Sequence, residues 1–166
     1  EMESGNKGDT NPNEELYKWG TQDKEDPNVV HWVARINYRK ATMNRVSVSD
    51  TWDNEGRYVP GSMKISYLHS ANPWTYAWPG NMDMLSMREN GFDYYVGFLN
   101  NVLVFEYSTR YATQATVPTN TIKVTANDYW IEHKVDYKWV SGSGTADGKN
   151  RPKPIWEIPN EALQLD

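Results

Sequence analysis

Residues 129–140 alternate almost without a break. Ile131, His133, Val135, Tyr137 and Trp139 take one parity, and Glu132, Lys134, Asp136 and Lys138 take the other. Side chains leave a strand on opposite faces with period two, so the pattern predicts a half-buried strand. The same parity runs through 29–38, where Val30, Trp32, Ala34 and Ile36 oppose His31, Val33 and Arg35. It also runs through 45–51 and 119–125, with Val46 and Val48 opposing Ser47 and Ser49, and Ile122 and Val124 opposing Thr121 and Lys123. Three polar residues fall on the apolar parity: Lys18 beside Leu16, Asp50 beside Val46 and Val48, and Asn120 beside Ile122 and Val124. An amine, a carboxyl and a carboxamide are thereby aimed into a core. Such groups are seldom buried unless paired, because an uncompensated buried charge costs several kcal/mol. Two outcomes satisfy them. One is a buried Lys–Asp ion pair capped by the carboxamide. The other is attack of the amine on the carboxamide, which expels ammonia and leaves a neutral isopeptide crosslink.

A chain of 166 residues suffices for one domain with a substantial core. Acidic residues number 22 against 17 basic, for a net charge of -5, which argues against a nucleic-acid partner. Cysteine is absent, so neither disulfides nor thiolate metal sites are available, and an extracellular domain of this kind needs another staple. No apolar run approaches the roughly 18 residues of a membrane span, so no membrane insertion is expected. Eight Trp and eleven Tyr stand against three Phe, a balance suited to half-exposed sheet faces and grooves.

Strands are predicted at 15–19, 29–38, 45–51, 63–68, 94–98, 101–111, 119–125 and 129–140, separated by Pro, Gly and Asn turns. That spacing describes an all-β, immunoglobulin-like antiparallel sandwich. A short helix is expected over 81–90, capped by Asn81 and ended by Gly91. Residues 1–14 read as a flexible leader, 15–148 as the domain, and 149–166 as a C-terminal linker or latch segment.

Several pieces, in order, resemble the collagen-adhesin domain family of Gram-positive surface proteins. They are the Trp-containing strand ending in Ile36-Asn37, the Val-Ser-Val-Ser-Asp-Thr of 46–51, and the Tyr-Val-Pro-Gly-Ser-Met-Lys of 58–64. Further on come the tyrosine-containing 105–110, Asn120-Thr121 and the Gly/Ser run of 141–144, with Tyr17-Lys18-Trp19-Gly20 upstream resembling the opening of the family's second ligand-binding subdomain. The resemblance implies a variant immunoglobulin fold closed by an intradomain isopeptide. Lys18 would be its nucleophile, Asn120 its electrophile and Asp50 its proton shuttle. Burial favours the neutral forms of an amine and an acid, and the acid is expected to hydrogen-bond the Asn120 carbonyl.

The resemblance further implies a non-enzymatic adhesin domain on the bacterial cell surface. Its partners would be a host extracellular-matrix protein such as collagen and a neighbouring adhesin domain of the same chain. No cofactor is implied. Candidate ligand-binding residues are Trp74, Tyr76, Tyr95 and Tyr107; Tyr94, Tyr95, Tyr107 and Tyr111 are expected as an outward row lining a trench. Trp78 is expected to be buried, and Met82, Met84 and Met87 to pack. Asp50, Asp53, Asn54 and Glu55 crowd one turn but lack the ligand spacing of a calcium loop, and His31, His69 and His133 lack that of a metal site. Two alternatives remain: a ligand-free stalk or pilin-like spacer, and a carbohydrate-binding sandwich using the Trp-rich 71–92 segment.

Overall fold

The computed structural model describes residues 2–5, 16–128 and 130–140. The 141–144 run and the 149–166 linker or latch segment lie outside them. The strands are β1 (Met2–Gly5), β2 (Leu16–Gln22), β3 (Val29–Ile36), β4 (Met43–Trp52), β5 (Arg57–Tyr58), β6 (Lys64–Ala71), β7 (Trp74–Pro79), β8 (Leu85–Arg88), β9 (Gly91–Leu99), β10 (Val102–Arg110), β11 (Thr119–Thr125) and β12 (Trp130–Asp136). They form two antiparallel sheets. Sheet I runs β1-β12-β11-β4-β9-β8, and sheet II runs β2-β3-β10-β6-β7 with β5 added on β10. This is the sandwich that the alternation predicted.

The inward parities meet between the sheets. Val30, Trp32 and Phe105 from sheet II pack against Val48, Phe92, Ile122 and Ile131 from sheet I. Phe105 sits against Phe92 at 5.6 Å and edge-on to Tyr94 at 5.3 Å. β4 switches its inward parity between Met43 and Val46 at a bulge at Arg45, which adopts a positive φ of 57°. The bulge absorbs one residue and leaves Val46, Val48 and Asp50 facing inward.

The 81–90 segment departs from expectation. Asn81 does cap a turn, its side chain accepting from the Asp83 amide, but the turn is a three-residue 3-10 helix, Met82–Met84. The chain then extends as β8 and pairs with β9. Arg88 holds it there, bonding Asp93 at 2.8 Å and the Asp50 carbonyl at 3.0 Å. Gly91 ends no helix. Its missing side chain permits β9 to approach β4, since a Cβ there would stand 2.1 Å from the Asp50 carbonyl oxygen.

β7 is a strand absent from the sequence reading. Pairing order puts it at the opposite edge of sheet II from β2, yet the Trp74 ring lies 6.2 Å from Trp19 of β2. β7 therefore curls back over the outer face of sheet II. Beneath it, Val33, Leu68, Val102 and Val104 form a second small cluster.

Candidate functional site

β2 and β10 of sheet II, and β4 and β11 of sheet I, bring four polar side chains to one point in the core. Lys18, Asp50 and Asn120 are 1%, 0% and 1% exposed, as their parity required. Asp50 and Asn120 sit on neighbouring strands, two residues apart in register, because Asp50 opposes Ile122 and Asn120 opposes Trp52. Lys18 arrives from the facing sheet, and its Nζ donates to Asp50 Oδ2 at 2.8 Å.

The fourth member is Tyr107, which the sequence reading had assigned to a surface trench. The structure corrects this: Tyr107 is buried against Phe92 and Trp52. Its hydroxyl donates to Asp50 Oδ1, accepts from Asn120 Nδ2 at 2.6 Å, and lies 3.5 Å from Lys18 Nζ. The expected bond from the Asp50 carboxyl to the Asn120 carbonyl is replaced by this phenol. Asn120 Oδ1 is buried without a hydrogen-bond partner among the described residues.

Burial pulls the Lys18 ammonium below its ordinary pKa, and the charge and hydrogen bond of Asp50 only partly oppose this. Loss of solvent likewise pushes the Tyr107 phenol well above its usual range, with Asp50 reinforcing the shift. The phenol therefore keeps its proton, while the Lys18 ammonium holds its own less tightly than an ordinary lysine. The Trp32 and Tyr107 rings lie 5.5 and 5.0 Å from the amine. On the other side of Lys18, its backbone amide donates to His133 Nδ1 at 2.9 Å, linking β2 to β12 across the sandwich edge.

The surface candidates do not converge. Tyr95 is 48% exposed on the outer face of sheet I. It lines an open groove of about 490 Å³ with Ser47, Ser49, Ser86, Asp93 and Lys123. Trp74 and Tyr76 belong to sheet II, 6.4 Å apart and edge to face. Tyr76 is committed to Glu106, at 3.1 Å, and to Lys64, whose Nζ lies 3.8 Å from its ring centre. The predicted row of outward tyrosines is also corrected: Tyr94 and Tyr111 are buried with Tyr107, leaving Tyr95 exposed. Trp78, expected inside, is 52% exposed, and Met82, Met84 and Met87 are exposed rather than packed. They lie on or beside the short strands β7 and β8, which are the edges of the two sheets among the described residues.

The turn after β4 spends its acids locally. Asp53 accepts from the amides of Glu55, Gly56 and Thr119 and from the Tyr111 hydroxyl. Among the described residues, no group of three His, Asp or Glu is placed to hold a metal ion.

A family model described as collagen binding domain matches residues 13–136. The chain belongs to the collagen-binding domain family. A collagen-binding domain from a Staphylococcus aureus adhesin superposes on it with a TM-score of 0.56 at 17% identity, over 74% of this chain and 97% of that one. ACE19, the collagen-binding subdomain of the Enterococcus faecalis surface protein ACE, gives 0.54 at 15% identity, over 78% and 97%. A longer structure of the Enterococcus faecalis ACE gives 0.60 at 16% identity, and this chain spans 50% of its length. At such identities the structural likeness is one of fold. No curated protein sequence matches the chain. Within the collagen-binding domain, the buried cluster lies between the sheets and the groove lies on the outer face of sheet I.

Proposed function

We propose that this domain is a collagen-binding module of an adhesin displayed on the bacterial cell surface, hardened by an isopeptide bond between Lys18 and Asn120. The observation that carries the crosslink is the buried convergence of an amine, a carboxyl and a carboxamide from three strands of both sheets. The amine gives a proton to Asp50 along their 2.8 Å bond and then attacks Asn120 Cγ. A C–N bond to Lys18 forms, the bond to Nδ2 breaks, and ammonia leaves. Folding supplies the proximity that makes the step fast. The reaction runs once and leaves no catalyst for a second substrate.

The groove of sheet I is the better candidate for the ligand. It is open, mixes apolar surface with the side chains of Ser47, Ser49, Asp93 and Lys123, and is edged by the exposed ring of Tyr95, a combination suited to a stiff rod of polyproline-II-like chains. Grip on such a rod by one face alone is weak, so a neighbouring domain of the same chain is expected to complete the hold.

Two measurements test the proposal. Intact mass of the purified domain should fall short of the calculated value by one ammonia, and Lys18→Ala and Asp50→Ala should restore it; a full wild-type mass would remove the crosslink. Binding to immobilised triple-helical collagen, measured with the domain alone and in tandem with its neighbour, should weaken about tenfold or more in Tyr95→Ala at unchanged melting temperature, the loss of roughly one aromatic contact. Unchanged binding would move the ligand off this groove. No binding by either form would favour the spacer reading.

A further inference from the structure

We propose that the Tyr107 hydroxyl is a catalytic proton relay in crosslink formation, carrying the second Lys18 proton to the departing Asn120 nitrogen. The inference rests on the crosslink reading above and assigns a residue to a step that the Lys, Asp and Asn alone leave open.

Conversion of an amine and a carboxamide into a new amide and ammonia must move one proton from Nζ to Nδ2. Asp50 is poorly placed for that transfer. Its Oδ2 faces Lys18 and its Oδ1 faces the phenol, and neither oxygen has a hydrogen bond to Asn120. The Tyr107 oxygen instead touches both nitrogens, at 3.5 Å from Nζ and 2.6 Å from Nδ2.

The sequence of protons then balances. Asp50 Oδ2 takes the first proton from the Lys18 ammonium. A protonated carboxyl accepts hydrogen bonds less strongly, so the phenol hydrogen is released from Oδ1. Attack by Nζ makes Asn120 Cγ tetrahedral. In the planar amide, Nδ2 is a donor whose lone pair is delocalised; in the tetrahedral intermediate it is a pyramidal amine with a lone pair. The 2.6 Å line from Nδ2 to the phenol therefore reverses direction. Tyr107 gives its hydrogen to Nδ2 while taking the second proton from Nζ, and the Cγ–Nδ2 bond breaks. One proton stays on the new amide, and the phenol is regenerated. The proton held by Asp50 leaves with ammonia as ammonium. The phenol has no need to persist as a phenolate, which its buried position would disfavour.

The test uses the full chain, purified unreacted in denaturant from inclusion bodies, refolded, and followed by intact mass over time. Tyr107→Phe, which keeps the ring, should fold yet lose ammonia about 100-fold more slowly or worse, the usual worth of a positioned acid–base group. A second variant carries 3-fluorotyrosine at position 107 alone, which preserves the hydroxyl and its contacts but makes it more acidic. Its rate should differ several-fold from wild type, which a role in packing alone would not produce. Should Tyr107→Phe fail to fold, the fluorinated chain decides by itself. An unchanged rate in the fluorinated chain, whatever Tyr107→Phe does, overturns the relay, as does a Tyr107→Phe rate within a few-fold of wild type. Failure of the wild type to lose ammonia would instead overturn the crosslink reading beneath it.

Discussion

His133 shows how one side chain couples the sandwich edge to pH. Burial, with a contribution from the Lys18 charge, pushes its pKa down to about 4. Its Nδ1 accepts a hydrogen bond from the Lys18 amide, which requires a lone pair on that nitrogen. The folded-state value is depressed below the ordinary 6.5, so the unfolded chain binds the proton more readily. The stability it contributes is complete above about 6.5 and drains away as pH falls towards about 4. Melting temperature measured across that window should decline in the wild type, and His133→Gln should flatten the decline. An equally steep fall in the variant would place the acid sensitivity elsewhere. Gly91 is a second residue with a definite demand. Adding a methyl against the Asp50 carbonyl must push β9 from β4, and Gly91→Ala should cost about 3 kcal/mol in denaturant unfolding.

At the scale of elements, legibility followed periodicity. β11 falls on its predicted bounds, Thr119–Thr125, because a strand with one face in the core and one in water writes its alternation cleanly. β4 and β12 were legible for the same reason, and so were the inward positions of Asp50 and Asn120. β10 was recognised as a strand but not oriented. It is the central strand of sheet II, and Val102, Leu103, Val104 and Phe105 are all buried. With both faces apolar, period two does not say which parity faces the main core, and Tyr107 was put on the wrong side. Phe105 two residues earlier, read as an inward anchor, was the signal that could have placed it. β7 alternates, with Trp74, Tyr76 and Trp78 opposing Thr75 and Ala77, but was read as an aromatic insert, and β8 was missed because Met84, Met87 and Arg88 mimic one side of a helix. Their exposure follows from lying at the rims of the two sheets.

For the whole molecule, the proposed bond ties β2 near the start of the domain to β11 near its end and closes a loop of about 100 residues. By analogy with a disulfide, such a closure removes roughly 4–5 kcal/mol of unfolded-state entropy. Asn120→Ala is the suitable probe, since it deletes the electrophile while keeping the Lys18–Asp50 pair. Its unfolding free energy should drop by about that amount; a drop under about 1 kcal/mol would mean that no covalent tie was lost. The same parity that built the site has a wider consequence. Over 46–52 of β4, 92–95 of β9 and all of β11, even-numbered residues such as Asp50, Phe92 and Asn120 face the core, while Ser47, Ser49, Asp93, Tyr95, Lys123 and Thr125 face the groove. Interior and exterior are thereby written on alternate letters of the same strands. A library that randomises those six outward letters alone could search for new ligands on an unaltered chassis, and selection acting on one set leaves the other free.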